Sequence, residues 1–195
     1  MIYHRVFKTV ITVLFISSVI GFSFHLQADA AVSVITKPVY VTDNRPRTIS
    51  IPSIKLNREV IDIGITDEGN LDVPPNFTQV GWYKYGTLPG QVGSTVLDGH
   101  VDNGSTVPGP FKRLRNVKIG DKIYVTAADG TKYTYEVISA LAYATDSFPS
   151  DYVFHDNSDA LLKIITCHGK YIESLDTYDQ RLIVTAKMVR TVAVR

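Results

Sequence analysis

Lys122-Ile123-Tyr124-Val125-Thr126-Ala127-Ala128, then Asp129-Gly130, then a second run from Lys132 to Ala144, read as two β-strands folded back on each other. Both runs are rich in β-branched and aromatic residues, which suit a pleated, half-buried surface. Asp-Gly between them suits a tight hairpin, because its backbone accepts positive φ. Similar short runs lie on either side. Thr48–Ile54, Glu59–Thr66, Trp82–Lys84 and Gly93–Val101 precede the hairpin, and Ala160–Thr166 and Arg181–Val194 follow it. Thr66-Asp67-Glu68-Gly69-Asn70 reads as a turn, and Pro110-Phe111-Lys112-Arg113-Leu114 as one helical turn opened by proline. About eight strands at short spacing with little helix predict an all-β domain, closed or sandwich-like. The segments Val101–Pro110 and Asp146–Asp159 are long and polar, which makes them candidate binding loops.

The composition narrows the function. Of 195 residues 45% are apolar and 20% charged, so the chain is globular rather than disordered. Its net charge of +1 leaves no broad basic surface, which argues against sequence-independent nucleic-acid binding. One cysteine permits neither an internal disulfide nor a cysteine metal cluster.

The N-terminus carries its own message. Arg5 and Lys8 precede an apolar run of about 16 residues, Thr9 to Phe24, at the lower edge of a membrane span and the upper edge of a secretion-signal core. Ala28-Asp29-Ala30 offers a small-residue cleavage pattern. Either reading puts the remainder outside the cytoplasm, since the cations stay inside. The expected organisation is a signal-anchor or signal segment over 1–26, a linker with Pro38 and Pro46 over 27–46, and a β domain over 47–195. The exported part is formally neutral.

A lone cysteine in an exported chain is a buried filler, an intermolecular bridge or a reactive thiol. Cys167 ends the run Leu161-Leu162-Lys163-Ile164-Ile165-Thr166, a predicted strand end beside loops. By alternation it shares a face with Lys163, which points to an accessible groove. A nucleophilic thiol is normally served by an imidazole. His4 and His25 belong to the N-terminal segment, His168 points to the opposite face, and His155 reads as a solvated loop residue. His100 ends a predicted strand behind Gly99 and is the candidate. Acyl transfer also calls for an oxyanion donor. Arg181 opens the final predicted strand and shares a face with Ile183, Thr185 and Lys187, the side read as wetter. Taken singly, His100 also reads as a structural histidine and Arg181 as a surface arginine. Asp98, Asp102 and Asn103 flank His100 but fit no calcium loop, so no metal or cofactor is expected.

The order Gly99-His100, Thr166-Cys167 and Arg181 fourteen residues on resembles the sortase family. Ile51-Pro52-Ser53-Ile54, Val80-Gly81-Trp82-Tyr83, Leu88-Pro89-Gly90, Gly99-His100-Val101-Asp102, Pro110–Leu114 followed by Gly120-Asp121, and Phe148-Pro149 are similar to motifs of its class F branch. His168-Gly169-Lys170-Tyr171 departs from the small residues that often follow the cysteine there. The resemblance covers about residues 47 to 190. It implies an eight-stranded sortase barrel with one or two short helices, behind an N-terminal apolar helix. It also implies a membrane-tethered cysteine transpeptidase of Gram-positive bacteria, with its catalytic domain extracellular. Such enzymes cut a sorting signal, often Leu-Pro-X-Thr-Gly, between Thr and Gly. Cys167 would form the thioacyl intermediate, His100 would serve as general acid and base, and Arg181 would bind substrate backbone and oxyanion. The implied partners are secreted proteins bearing the signal, a peptidoglycan precursor or other amine acceptor, and the membrane. Two alternatives keep the same sequence: a cysteine peptidase with water as acceptor, and a non-catalytic cell-surface β domain.

Overall fold

The computed structural model describes residues 43–102 and 107–193, so the expected apolar helix and most of the linker lie outside the described residues. The strands are β1 (Pro46–Ile51), β2 (Leu56–Ile63), β3 (Val80–Tyr83), β4 (Gly93–Asp98), β5 (Lys122–Ala127), β6 (Lys132–Ala144), β7 (Ala160–Ile172) and β8 (Thr177–Val192). They close into a barrel in the order β1-β2-β3-β4-β7-β8-β6-β5. Closure leaves no unpaired sheet edge in the barrel wall. The hairpin that announced the fold is β5–β6. Gly130 there takes φ +85° and donates to the Ala127 carbonyl at 3.0 Å, as a tight turn with positive φ requires. Two pairings are parallel, β2 with β3 and β4 with β7. The second of these sets Asp98 beside Ile165.

Several expected boundaries move. The first strand stops at Ile51, because Pro52 has no N–H to give the ladder and starts a 3-10 turn, Pro52–Ile54. β7 does not stop at the cysteine but continues to Ile172, and β8 begins at Thr177 rather than at Arg181. The expected loop between them is a hairpin. Its arms are tied by Tyr171 against Tyr178 (ring centroids 5.4 Å apart) and by the Lys170 N–H on Asp179 at 2.7 Å. The register slips between His168 and Tyr171, where Gly169 sits at φ +83°, so Cys167 lies just before an irregularity in a long ribbon. The helical turn expected over 110–114 falls slightly later, as a 3-10 turn at Leu114–Asn116. A short helix α1 (Ser150–Phe154) forms within the long β6–β7 connection.

Two apolar layers follow from strand alternation. Inside the barrel, Ile49, Ile51, Leu97, Ile123, Val125, Leu162, Ile164 and Val184 are buried together with Phe111 and Leu114. Each such side chain contributes roughly 1.5–3 kcal/mol. Outside the wall, Val96, Ile165 and Ile183 form a second cluster under Val153 of α1, bordered by Tyr83, Tyr143, Phe148, Tyr152 and Phe154.

This outer cluster corrects the expectation that the face shared by Lys163 and Cys167 is wet. Lys163 is 0% exposed, and Ile183 and Thr185 beside it on β8 are buried too. The reason is the cover. The Lys163 ammonium donates to the Tyr152 carbonyl of α1, pairs with Asp156 at 2.9 Å, and lies 3.5 Å from the centre of the Tyr152 ring. An ammonium in such a place must be both paired and hydrogen-bonded. Lys163 therefore pins the β6–β7 segment onto the barrel. Toward Cys167 this face opens, and Cys167 and Arg181 are half-buried.

Candidate active site

Two adjacent strands and the connection after β4 carry the candidate residues. Cys167 on β7 stands directly opposite Arg181 on β8. Residues so placed have Cα atoms roughly 4.5–5.5 Å apart. On the other side of β7, the parallel register ends with Asp98 beside Ile165. Two residues further along each chain come Cys167, still within β7, and His100, past the end of β4. Thiol and guanidinium thus face each other across β7 and β8, and His100 lies in the connection two residues past the end of β4.

Local bonds hold this arrangement. The Thr166 hydroxyl donates to the Gly99 carbonyl at 2.7 Å, and the Gly99 N–H reaches the Ile165 carbonyl at 3.3 Å. The residue before the cysteine is thereby locked to the residue before the histidine. Gly99 has to be glycine, since a Cβ there would come within 2.8 Å of the buried Phe111 ring. The His100 Nε2 lies 2.8 Å from the Pro74 carbonyl, and the ring packs on Phe77 with centroids 4.3 Å apart. A carbonyl only accepts, so Nε2 carries the proton and a neutral ring keeps its lone pair on Nδ1. Arg181 donates from Nη1 to the Tyr178 and Gln180 carbonyls (2.9 and 3.0 Å) and to Thr145 Oγ1, and from Nη2 to Thr177 Oγ1 at 3.0 Å.

A cleft of about 420 Å³ opens beside Cys167, lined by Asp102, Lys112, Arg115, His168 and Tyr178 among others. Neither His100 nor Arg181 lines this cleft. Asp102 on its wall accepts from the Tyr178 hydroxyl at 2.7 Å and pairs with Lys112. That bond to Asp102 holds the Tyr178 phenol protonated, its pKa pushed up to about 12. His155 lies apart at the end of α1, exposed and bonded to Asp151 at 3.1 Å.

The electrostatics favour a resting thiol. Burial raises the Cys167 pKa and the carboxyls of Asp98 and Asp102 raise it further, while Arg181 pulls it down. Asp98, read from sequence only as a neighbour of His100 that fits no calcium loop, is a member of this field. Burial pushes its carboxyl up to about 7, against the opposing effects of Arg181 and the Gly99 N–H. Nothing in the sequence shows this, because it depends on the β4–β7 register. Among the described residues no group of three or more acidic, imidazole or thiol side chains could hold a metal ion.

Asp98 supports a stability test. Its native carboxyl keeps its proton to about pH 7, whereas the unfolded one loses it near 4. Between those values the folded state binds the extra proton, so stability falls as pH rises, and above pH 7 the full penalty applies. Asp98→Asn removes the ionisation. The variant is expected to gain on the order of 2 kcal/mol over wild type at pH 8 and little at pH 4, measured by urea unfolding at both. An equal change at the two pH values would refute the buried-acid account.

Comparison with known proteins places this geometry. The family model described as the sortase domain matches residues 49–189. Sortase C-1 from Actinomyces oris is 25% identical, the match covering 73% of this chain and 71% of that one with a TM-score of 0.57. Sortase A from Listeria monocytogenes (23% identity, 76% of this chain and 89% of that one, TM-score 0.56) shares the fold. So does a lid mutant of sortase A from Corynebacterium diphtheriae (24% identity, 73% and 69%, TM-score 0.56). No curated protein sequence matches the chain.

Proposed function

The chain belongs to the sortase family of cysteine transpeptidases, and from that premise we propose that it cleaves a Leu-Pro-X-Thr-Gly-like sorting signal and transfers the protein to an amine acceptor. The single observation that supports the assignment of roles is Cys167 standing opposite Arg181 across β7 and β8, with Thr166 bonded to Gly99, the residue before His100.

In this reading the Cys167 sulfur attacks the Thr carbonyl of the signal. The carbonyl oxygen gains charge, which Arg181 meets with its guanidinium N–H groups. The Thr–Gly C–N bond breaks, His100 delivers a proton to the departing glycine amine, and a thioester remains on Cys167. The incoming amine attacks that thioester and His100 takes its proton. A new amide forms and the thiol is released. Because the field around Cys167 favours the neutral thiol, the attacking thiolate forms as the proton passes to His100 rather than standing ready.

We further assign residues 1–26 as the membrane tether, with the barrel of 47–195 outside the cell and acting on secreted proteins and a peptidoglycan precursor or similar amine. The class F assignment rests on the motifs at 51–54, 80–83, 88–90, 99–102, 110–114 with 120–121, and 148–149.

The test is to trap the acyl-enzyme. Full-length protein incubated with a Leu-Pro-X-Thr-Gly peptide library and acid-quenched is expected to carry one acyl adduct on the Cys167 peptide by mass spectrometry. Adding an amine should convert the adduct into an amide product. An adduct on another residue, or none across the library, would reject the proposal. Free acid regardless of added amine would leave a peptidase instead.

A further inference from the structure

The segment Lys112-Arg113-Leu114-Arg115-Asn116-Val117-Lys118 holds four cations and no acid, in a chain whose net charge is only +1. Leu114 and Val117 are buried, which turns the cations outward. Arg113 and Lys112 meet Lys55 and Arg58 around a second cleft of about 370 Å³, whose floor includes Ile54, Leu56 and Pro110. Among the described residues no carboxylate lines it. Lys112 is engaged by Asp102, and Arg58 donates to the Asn57 carbonyl at 2.8 Å. Lys55, Arg113 and Arg115 have no carboxylate within ion-pair distance among the described residues. Asp121, an acid of the same neighbourhood, is taken up by the Lys118 N–H and by Ser53.

This is more than a solvated basic face, because the cations converge on a concavity and lead somewhere. Lys112 lines both this cleft and the cleft beside Cys167, and Arg115 lines the latter. A basic tract therefore runs from Lys55 to the wall of the candidate active site. Two guanidinium forks and an ammonium left without carboxylates suit a compact, multiply charged anion with tetrahedral oxygens better than a single carboxylate. We infer that the cleft formed by Lys55, Arg58, Lys112 and Arg113 binds a phosphate or diphosphate group carried by the amine-bearing second substrate. The anion would dock there while its amine reaches Cys167 past Lys112. The identity of the ligand's other end rests on the transpeptidase reading; the anion site itself does not.

The test uses the full chain in detergent, with inorganic pyrophosphate as probe, titrated calorimetrically at constant ionic strength. Saturable binding is expected, weakened about tenfold or more in the Arg58→Gln/Arg113→Gln double variant, whose exposed substitutions leave the fold intact by circular dichroism. With a phosphorylated amine acceptor, the double variant should raise the acceptor's KM about tenfold. KM for the sorting peptide and turnover with an unphosphorylated amine should not change. Pyrophosphate binding that is lost in the double variant supports the site even if no peptide is cleaved, so failure of the transferase reading would be seen separately. Binding no tighter than that of sulfate, or unchanged in the double variant, would overturn the inference. So would a dependence of activity on phosphatidylglycerol, abolished by the double variant while pyrophosphate is inert, since that would make the cleft a membrane contact.

Discussion

Cys167→Ala is expected to abolish cleavage of the sorting-signal peptide while leaving the barrel folded. The sulfur supplies the only covalent chemistry available to the proposed route, and loss of a nucleophile from such a constellation typically costs a factor of 10⁴ or more. Packing predicts the opposite extreme for stability. Cys167 is half-buried and belongs to neither apolar cluster. Removing its sulfur should cost about 1 kcal/mol or less, below the range for truncating a large core side chain. Peptide turnover by mass spectrometry and urea unfolding therefore separate the two roles. No turnover at near-native stability is the expected pair, and wild-type turnover would remove the thiol from the mechanism. Alkylation of the native protein by iodoacetamide adds a check. Burial, Asp98 and Asp102 hold the thiol neutral, so labelling should be slow at pH 7 and accelerate as pH rises past the ordinary thiol range.

Much of this was readable from the chain, for identifiable reasons. The hairpin at Asp129-Gly130 and the short β-branched runs are local signals, and a closed β barrel is assembled from such pieces. Cys167 stood out because it is the only cysteine, and the spacing of Gly99-His100, Thr166-Cys167 and Arg181 carried the resemblance. What escaped was non-local. Strand alternation told correctly that Cys167 and Lys163 share a face, but not what lies over that face. Lys163 is buried because α1 and Asp156 come from a segment read as a polar loop. Asp98 stood out only as a neighbour of His100 that fits no calcium loop, because its effect on the thiol depends on the parallel β4–β7 register. The continuation of β7 past Cys167 was hidden by Gly169, a residue that usually marks an end and here marks a slip in register.

Arg181→Ala is the second large effect, and the arginine's place explains its form. Its guanidinium is held by Thr145, Thr177 and two carbonyls of its own strand, opposite Cys167. It is also the one named charge that lowers the pKa of both Cys167 and Asp98. Removing it should act twice. Loss of an oxyanion donor costs about 10²–10³ in kcat. In addition the thiol and the Asp98 carboxyl both move further up, so alkylation of Cys167 at a given pH slows. Arg181→Lys divides these effects. An ammonium restores positive charge but not the planar fork that reaches several acceptors at once. The lysine variant should therefore recover much of the alkylation rate while its kcat remains at least tenfold down. If both variants turned over peptide within threefold of wild type, Arg181 would be a structural brace for the β7–β8 ribbon. If Arg181→Lys recovered turnover and alkylation together, charge alone would account for its role, and the oxyanion contact would have to come from elsewhere.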